Sequence, residues 1–217
     1  MDPSSIESIN YWVGMAGTVA FAVTAVLAVA PRGIDIFGVL VLGVITAIGG
    51  GTLRDVIIDA PVFWGADLVY IWVAVAASLA AFSATSLFAK KEVYTLMLYL
   101  DALGVALFGV QATAKVWSLG FGLPLAPVLL GVVTAIGGGL IRDVLAGRQN
   151  LLMKRELYAI PVLVGCAAFA LVLKYLPEHH FTGEVVCGLG IFLFRAAAIH
   201  WDLSVPDWLA TKTKEQS

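Results

Sequence analysis

Long apolar runs alternate with short polar joints along the whole chain. Seven runs approach the roughly 20 mostly apolar residues that a membrane-spanning helix needs. They cover about Tyr11–Ala30, Phe37–Ile58, Leu68–Phe88, Val93–Trp117, Pro124–Ala146, Tyr158–Tyr175 and Gly183–Ile199. The joints are brief: Pro31-Arg32-Gly33, Ala60-Pro61, Lys90-Lys91-Glu92, Gly120–Leu123, Arg148–Glu156 and Pro177–Phe181. No joint is long enough for a soluble domain, so residues 1–217 are read as a single membrane domain. The expected class is an all-α integral membrane protein with seven transmembrane helices. The tail, Ser204–Ser217, is short and polar and is expected to fray.

One stretch occurs twice. Gly43–Val56 reads GVITAIGGGTLRDV and Gly131–Val144 reads GVVTAIGGGLIRDV, with eleven of fourteen positions identical at an offset of 88 residues (137 minus 49). Tyr70 and Tyr158 keep that offset, and Gly17, Phe21 and Val23 align with Gly104, Phe108 and Val110 at an offset of 87. The chain therefore divides into a first copy over about 9–89, a second over about 93–176, and an extra helix over about 183–200. A unit with an odd number of spans inserts its second copy upside down, so an inverted three-plus-three repeat is expected, an arrangement common among transport proteins.

Composition agrees with a membrane solvent. The chain is 60% hydrophobic and 13% charged, with mean hydropathy +0.95, where a soluble domain carries about 25% charge. A net charge of −2 without a basic cluster gives no reason to expect nucleic acid. Basic residues distribute by side. Arg32, Lys90, Lys91, Arg148, Lys154, Arg155, Lys212 and Lys214 gather on one face, while Lys115 and Lys174, with Arg54 near a helix end, fall on the other. The positive-inside bias then places the N-terminus outside and the C-terminus in the cytoplasm, in the cell (inner) membrane. The acidic start, MDPSSIESIN, lacks the basic region of a cleaved signal, so the first run is expected to be retained. Tyr11, Trp12, Trp64, Trp117, Tyr175 and Trp201 stand near span ends and read as an interfacial belt.

Candidate chemistry concentrates on the doubled stretch. Each glycine inside a helix costs up to about 1 kcal/mol relative to alanine, so Gly49-Gly50-Gly51 and Gly137-Gly138-Gly139 are expected to kink or break spans 2 and 5. A break frees backbone groups that must face protein or a wet cavity; the competing reading is close helix packing. Thr46, Gly50 and Arg54 lie along one helix face, as do Thr134, Gly138 and Arg142. Asp55 and Asp143 follow the arginines. Charges within a span are functional by default, with snorkelling to the interface as the alternative. On span 4, Asp101, Gln111 and Lys115 fall within about an 80° sector at helical pitch, a face that lines a path or a subunit contact. Span 1 has Thr24 and Ala28 at the aligned positions. Arg195 reads as a snorkelling anchor, His179 and His180 as solvated, and Cys166 and Cys187 as small core residues. No hydrolytic motif, cofactor motif or metal site is present in the sequence, so an enzyme is not expected.

The paired GGGxxRD helices, the inverted repeat and the seventh helix resemble the bacterial branch of the TRIC family, the trimeric intracellular cation channels, over residues 9–200. The resemblance implies a homotrimer with a pore in each protomer, spans 2 and 5 bent at the glycines, and passage of monovalent cations, chiefly potassium. Some bacterial relatives are instead assigned to transport of small amino acids such as glycine. Lys91-Glu92-Val93 also resembles a KEV stretch of animal members, where nearby basic residues meet phosphoinositide; here no second basic residue follows closely in span 4. The expected pore lining is Thr46, Gly49, Gly50, Gly51, Arg54 and Asp55 from span 2, their counterparts Thr134, Gly137, Gly138, Gly139, Arg142 and Asp143 from span 5, and Asp101, Gln111 and Lys115 from span 4. A small zwitterionic solute and a packed structural scaffold remain the competing readings.

Overall fold

The structure is a computed structural model that describes residues 3–85, 90–154 and 156–206. Arg155, Lys212 and Lys214 lie outside the described residues, as do the side chains of Lys90 and Lys91 and the end of the third expected span. Eight α-helices make up the described fold: α1 (Pro3–Val29), α2 (Ile36–Ile57), the single turn α3 (Phe63–Ala66), α4 (Val69–Ala84), α5 (Lys90–Ser118), α6 (Leu125–Leu145), α7 (Ala159–Tyr175) and α8 (His180–His200). Among the described residues, five stretches are long and apolar enough to cross a membrane: Ser8–Arg32, Ile36–Ile57, Glu92–Ser118, Leu125–Leu145 and Pro177–His200. Helices α4 and α7 are as apolar but have only 16 and 17 residues.

Local chemistry sets the joints. Pro31 cannot continue α1, and Gly33 turns the chain with φ +66°, a conformation open mainly to glycine. Asp35 then caps α2, its carboxylate accepting the Gly38 amide at 2.9 Å, a contact worth about 1 kcal/mol. Asp67 accepts the Val69 amide at 2.9 Å at the start of α4. Asn150 accepts the Leu152 amide at 2.7 Å in the joint after α6.

Helix α1 packs on α5, and α2 on α6. Both contacts are reciprocal and antiparallel. A Cβ added at Gly17 would stand 2.8 Å from the Phe108 ring, and one at Gly104 would stand 2.9 Å from the Phe21 ring. The two rings stack at 5.5 Å between centroids. Between α2 and α6, a Cβ at Gly50 would meet the Thr134 carbonyl oxygen at 2.1 Å, and one at Gly138 the Thr46 carbonyl oxygen at 2.3 Å. Lipid tails are as apolar as leucine, so close backbone approach replaces hydrophobic burial as the force holding helices together. Helix α8 closes the bundle against α5 and α7.

The glycine triplets do not break their helices. The backbone is α-helical at every residue of α2 and α6, through 49–51 and 137–139. The expectation of broken half-helices with freed carbonyls is thereby corrected. Gly50, Gly137 and Gly138 serve a crossing so tight that no methyl group fits between the two backbones, and each helix stays α-helical throughout.

Candidate functional site

Each Arg-Asp pair sits near the C-terminal end of its helix, where the next loop folds back. Asp55 is fully buried and accepts from Arg54 Nε at 2.8 Å and from Lys115 Nζ at 2.7 Å, both on Oδ1. Its Oδ2 accepts the amide of Phe63 at 2.9 Å. Asp143 repeats the geometry: Oδ1 takes Arg142 Nε at 2.9 Å and Oδ2 takes the amide of Leu151 at 3.2 Å. In both copies the carboxylate holds the amide eight residues ahead. This satisfies a loop N–H that lipid could not.

The two clusters differ in charge. Asp55 faces two cations, Arg54 and Lys115. Arg142 faces two acids, Asp143 and Asp101, with Nη1 2.8 Å from Asp101 Oδ1 and 2.9 Å from the Thr24 hydroxyl. Arg142 and Asp101 have no exposed surface, so Arg142 does not snorkel. The span-4 stripe is thus divided between the two clusters. Asp101 joins Arg142, Lys115 joins Asp55, and Gln111 lies between them, donating from Nε2 to the Asn10 carbonyl at 2.7 Å. Among the described residues, Asp101 Oδ2, Arg142 Nη2 and the Tyr158 hydroxyl have no protein partner. Gly139 makes room for this group: a Cβ there would lie 3.0 Å from the Tyr158 hydroxyl and 3.1 Å from Asp101 Oδ1.

Arg195 is corrected from an anchor to a core residue. It is fully buried, donates to the Leu157 carbonyl at 2.9 Å and lies 4.8 Å over the Tyr158 ring. It ties α8 to the start of α7.

A cavity of about 490 Å³ stands on the Asp55 side of the crossing. At one end are the span-end residues Asn10, Ser118 and His180; at the other are Ala47 and Thr134, beside the crossing glycines. Arg54, Gln111, Lys115, Tyr70 and Glu184 bring polar groups to its wall, and Phe63, Phe108 and Trp117 bring rings. Phe63 packs edge-on to Tyr70 at 4.8 Å, and a Cβ at Gly51 would collide with its ring at 2.6 Å. Of the fifteen residues expected to line a path, Gly51, Arg54, Gln111, Lys115 and Thr134 face this cavity. Thr46, Gly49, Gly50, Gly137 and Gly138 are at or beside the crossing. Asp55 lies behind Arg54 and Lys115, while Asp101, Gly139, Arg142 and Asp143 form the opposite cluster. Thr46 and Thr134 turn their hydroxyls back to the Leu42 and Leu130 carbonyls, so neither offers a free donor at the crossing.

Sequence reasoning missed Phe63 and Glu184. Phe63 lies in a joint and carries no motif. Glu184 is the one acid within the seventh apolar run, a usable signal, but that run has no copy to compare with.

The profile of the family described as Glycine transporter matches residues 11–86 and 98–174. The two matched stretches begin 87 residues apart (98 minus 11) and end 88 apart (174 minus 86). The chain is 36% identical to the UPF0126 inner membrane protein YadS of Escherichia coli over 90% of its own length and 94% of that protein's. A solved structure of the TRIC trimeric intracellular cation channel orthologue from Rhodobacter sphaeroides superimposes with TM-score 0.85 at 30% identity, covering 90% of this chain and 100% of that one. A prokaryotic TRIC channel solved in 0.5 M KCl gives TM-score 0.84 at 27% identity, covering 92% and 100%. Sequence and fold agree: this chain is a helical membrane protein of the UPF0126 (Glycine transporter) family, built on the fold of the bacterial TRIC channels.

Proposed function

We propose that the protein is a monovalent cation channel, conducting chiefly potassium, that works as a homotrimer with a pore in each protomer. The observation carrying this reading is the cavity that runs from the span-end residues Asn10, Ser118 and His180 to the α2–α6 crossing, with a charged cluster on either side of that crossing. The path enters past Arg54, Asp55, Gln111 and Lys115. It narrows at Thr46, Gly49–Gly51, Thr134 and Gly137–Gly138, and leaves past Gly139, Asp101, Arg142 and Asp143. At the crossing the backbones touch, which makes this conformation a closed one. Arginines alone disfavour cations in a pore; Asp101 and Asp143 more than neutralise Arg142, and Asp55 lowers the barrier that Arg54 and Lys115 raise.

The spans in this reading are α1, α2, α4, α5, α6, α7 and α8, with α3 a turn at the outer mouth. They form an inverted three-plus-three repeat with α8 added. Reciprocal contacts at Gly17 and Gly104, and at Gly50 and Gly138, support it. Any bend at the triplets is carried within continuous helices. The N-terminus lies outside and the C-terminus in the cytoplasm of the inner membrane. Arg32 donates to the Gly147 carbonyl at 3.1 Å and Arg148 to the Ala28 carbonyl at 2.7 Å, and Lys154 bonds the Tyr94 hydroxyl. These basic residues therefore share one end of the bundle, as a cytoplasmic face requires.

Transport of a small amino acid such as glycine is the second reading. The cavity is larger than a bare ion needs, and Arg54 and Lys115 together exceed the single charge of Asp55, leaving capacity for a carboxylate. Purified protein in liposomes separates the two. Potassium flux carried by a valinomycin-independent pathway, without concentrative glycine uptake, is expected; saturable glycine uptake without ionic current would replace the channel reading with the transporter.

A further inference from the structure

Helix α8 lies outside the duplicated segments, yet it supplies an acid to the cavity. Glu184 sits one turn into α8, is only 8% exposed and lines the same cavity as Arg54 and Lys115. Its carboxylate makes no hydrogen bond or ion pair among the described residues. Its oxygens open onto the cavity with His180 as an electrostatic neighbour, and a carboxylate with so little water around it is disfavoured unless a proton, a cation or a positively charged side chain faces it. We propose that Glu184 is a binding site for a monovalent cation in the outer cavity.

The surroundings match that chemistry. The other oxygens on the wall are neutral. The Gln111 amide spends its N–H on the Asn10 carbonyl, which leaves its oxygen free to accept, and the Tyr70 hydroxyl lies on the same wall. One carboxylate with neutral oxygens, on a wall that also carries Arg54 and Lys115, can attract at most a single positive charge, whereas divalent ions draw several charged ligands. The charged and titratable groups facing Glu184 are His180 on its own helix, Arg54 on α2, Tyr70 on α4 and Lys115 on α5. Arg54 and Lys115 are both drawn to Asp55 Oδ1. That pairing draws the two cations toward α2 and leaves Glu184 as the acid on the cavity wall, facing the one positive charge by which Arg54 and Lys115 exceed Asp55. A cation attracted from solution would rest at Glu184 before reaching the crossing.

The proposal rests on the cation-channel reading, and its test separates the two. Thallium(I) serves as the potassium stand-in. Equilibrium binding to the full-length protein in nanodiscs is measured with wild type, E184Q and E184D. Wild type should bind one thallium ion per protomer, displaceable by potassium; E184Q should weaken binding at least tenfold, and E184D should stay within about fivefold of wild type. Equal binding by wild type and E184Q, or no saturable binding by wild type, overturns the site. Infrared difference spectra of wild type in thallium against choline need no variant: a shift in carboxylate bands is expected, and its absence also overturns the site. Planar-bilayer recordings complete the separation. Thallium binding lost in E184Q, with no potassium current in wild type, upholds the site and rejects the channel. A potassium current equal in wild type and E184Q, with unchanged thallium binding, rejects the site and leaves the channel.

Discussion

At the scale of single residues, the buried charges of the Arg142 cluster are the most demanding feature. Arg142 and Asp101 have no exposed surface and meet at 2.8 Å. Removing one partner strands the other in a low-dielectric interior, at a cost of about 3–5 kcal/mol. D101A and R142M should each destabilise the detergent-solubilised protein by that amount, while the double variant should lose less than the sum. Thermal unfolding of all four proteins measures the coupling; additive losses would show that the pair does not act as a unit. The glycines carry a second prediction. G50A and G138A each place a methyl about 2 Å from a backbone carbonyl, and overpacking of this kind costs about 1–3 kcal/mol. G190A meets nothing within 4 Å and should be neutral or stabilising by up to about 1 kcal/mol, since alanine is the better helix former. Equal melting temperatures for G50A and G190A would remove the crossing from its structural role. The triplets could be found in the sequence, but their use could not. Low helix propensity and tolerance of close approach belong to the same residue, and only the facing carbonyls of Thr46 and Thr134 decide between them.

At the scale of elements, the sequence pattern placed the helices well where apolar runs were long. It located α2 and α6 within one or two residues at each end, because Asp35 and the glycines of the joints mark the boundaries. It could not show the single turn α3. That turn is fixed by tertiary contacts: Asp55 on the Phe63 amide, and the Trp64 indole donating to the Thr52 hydroxyl at 2.9 Å. Arg195 was misread for a related reason. Its place near a helix end suggested an anchor, and nothing in α8 alone reveals the Leu157 carbonyl and Tyr158 ring that receive it. Orientation is tested at this scale. Leu119 and Gln149 are exposed in joints that close opposite ends of the bundle. In a background lacking Cys166 and Cys187, L119C should react with an impermeant maleimide from outside, and Q149C only after the cytoplasmic face is opened. Labelling of both from one side would end the seven-span topology.

At the scale of the whole molecule, the two copies of the motif are alike in backbone and unlike in charge. Asp101 aligns with Gly14 in the first copy, and Lys115 with Ala28. The cluster on the cavity side therefore holds two cations to one acid, and the opposite cluster two acids to one cation. On the proposed path the first cluster carries a positive excess, with Glu184 across the same cavity, and the second cluster a negative excess. Selectivity should then respond with opposite sign to changes in the first cluster. D55N removes its only acid and leaves Arg54 and Lys115 unneutralised. Under a tenfold potassium chloride gradient its reversal potential should move from the potassium limit toward zero. K115Q removes one cation, leaves the Arg54–Asp55 pair neutral, and should keep or sharpen cation preference while raising conductance. D143N at the second cluster should also weaken cation preference, by less than D55N, because Asp101 still faces Arg142. Recording all three in bilayers gives a test of sign that a loss of folding cannot imitate, since a misfolded protein loses current without shifting its reversal potential. A shift toward zero in D55N, with K115Q unchanged or shifted the other way, would place the first cluster on the conduction path. Identical reversal potentials in wild type, D55N and K115Q, with normal conductance, would take these charges off the path and leave the Asp55 cluster with its loop-holding role alone.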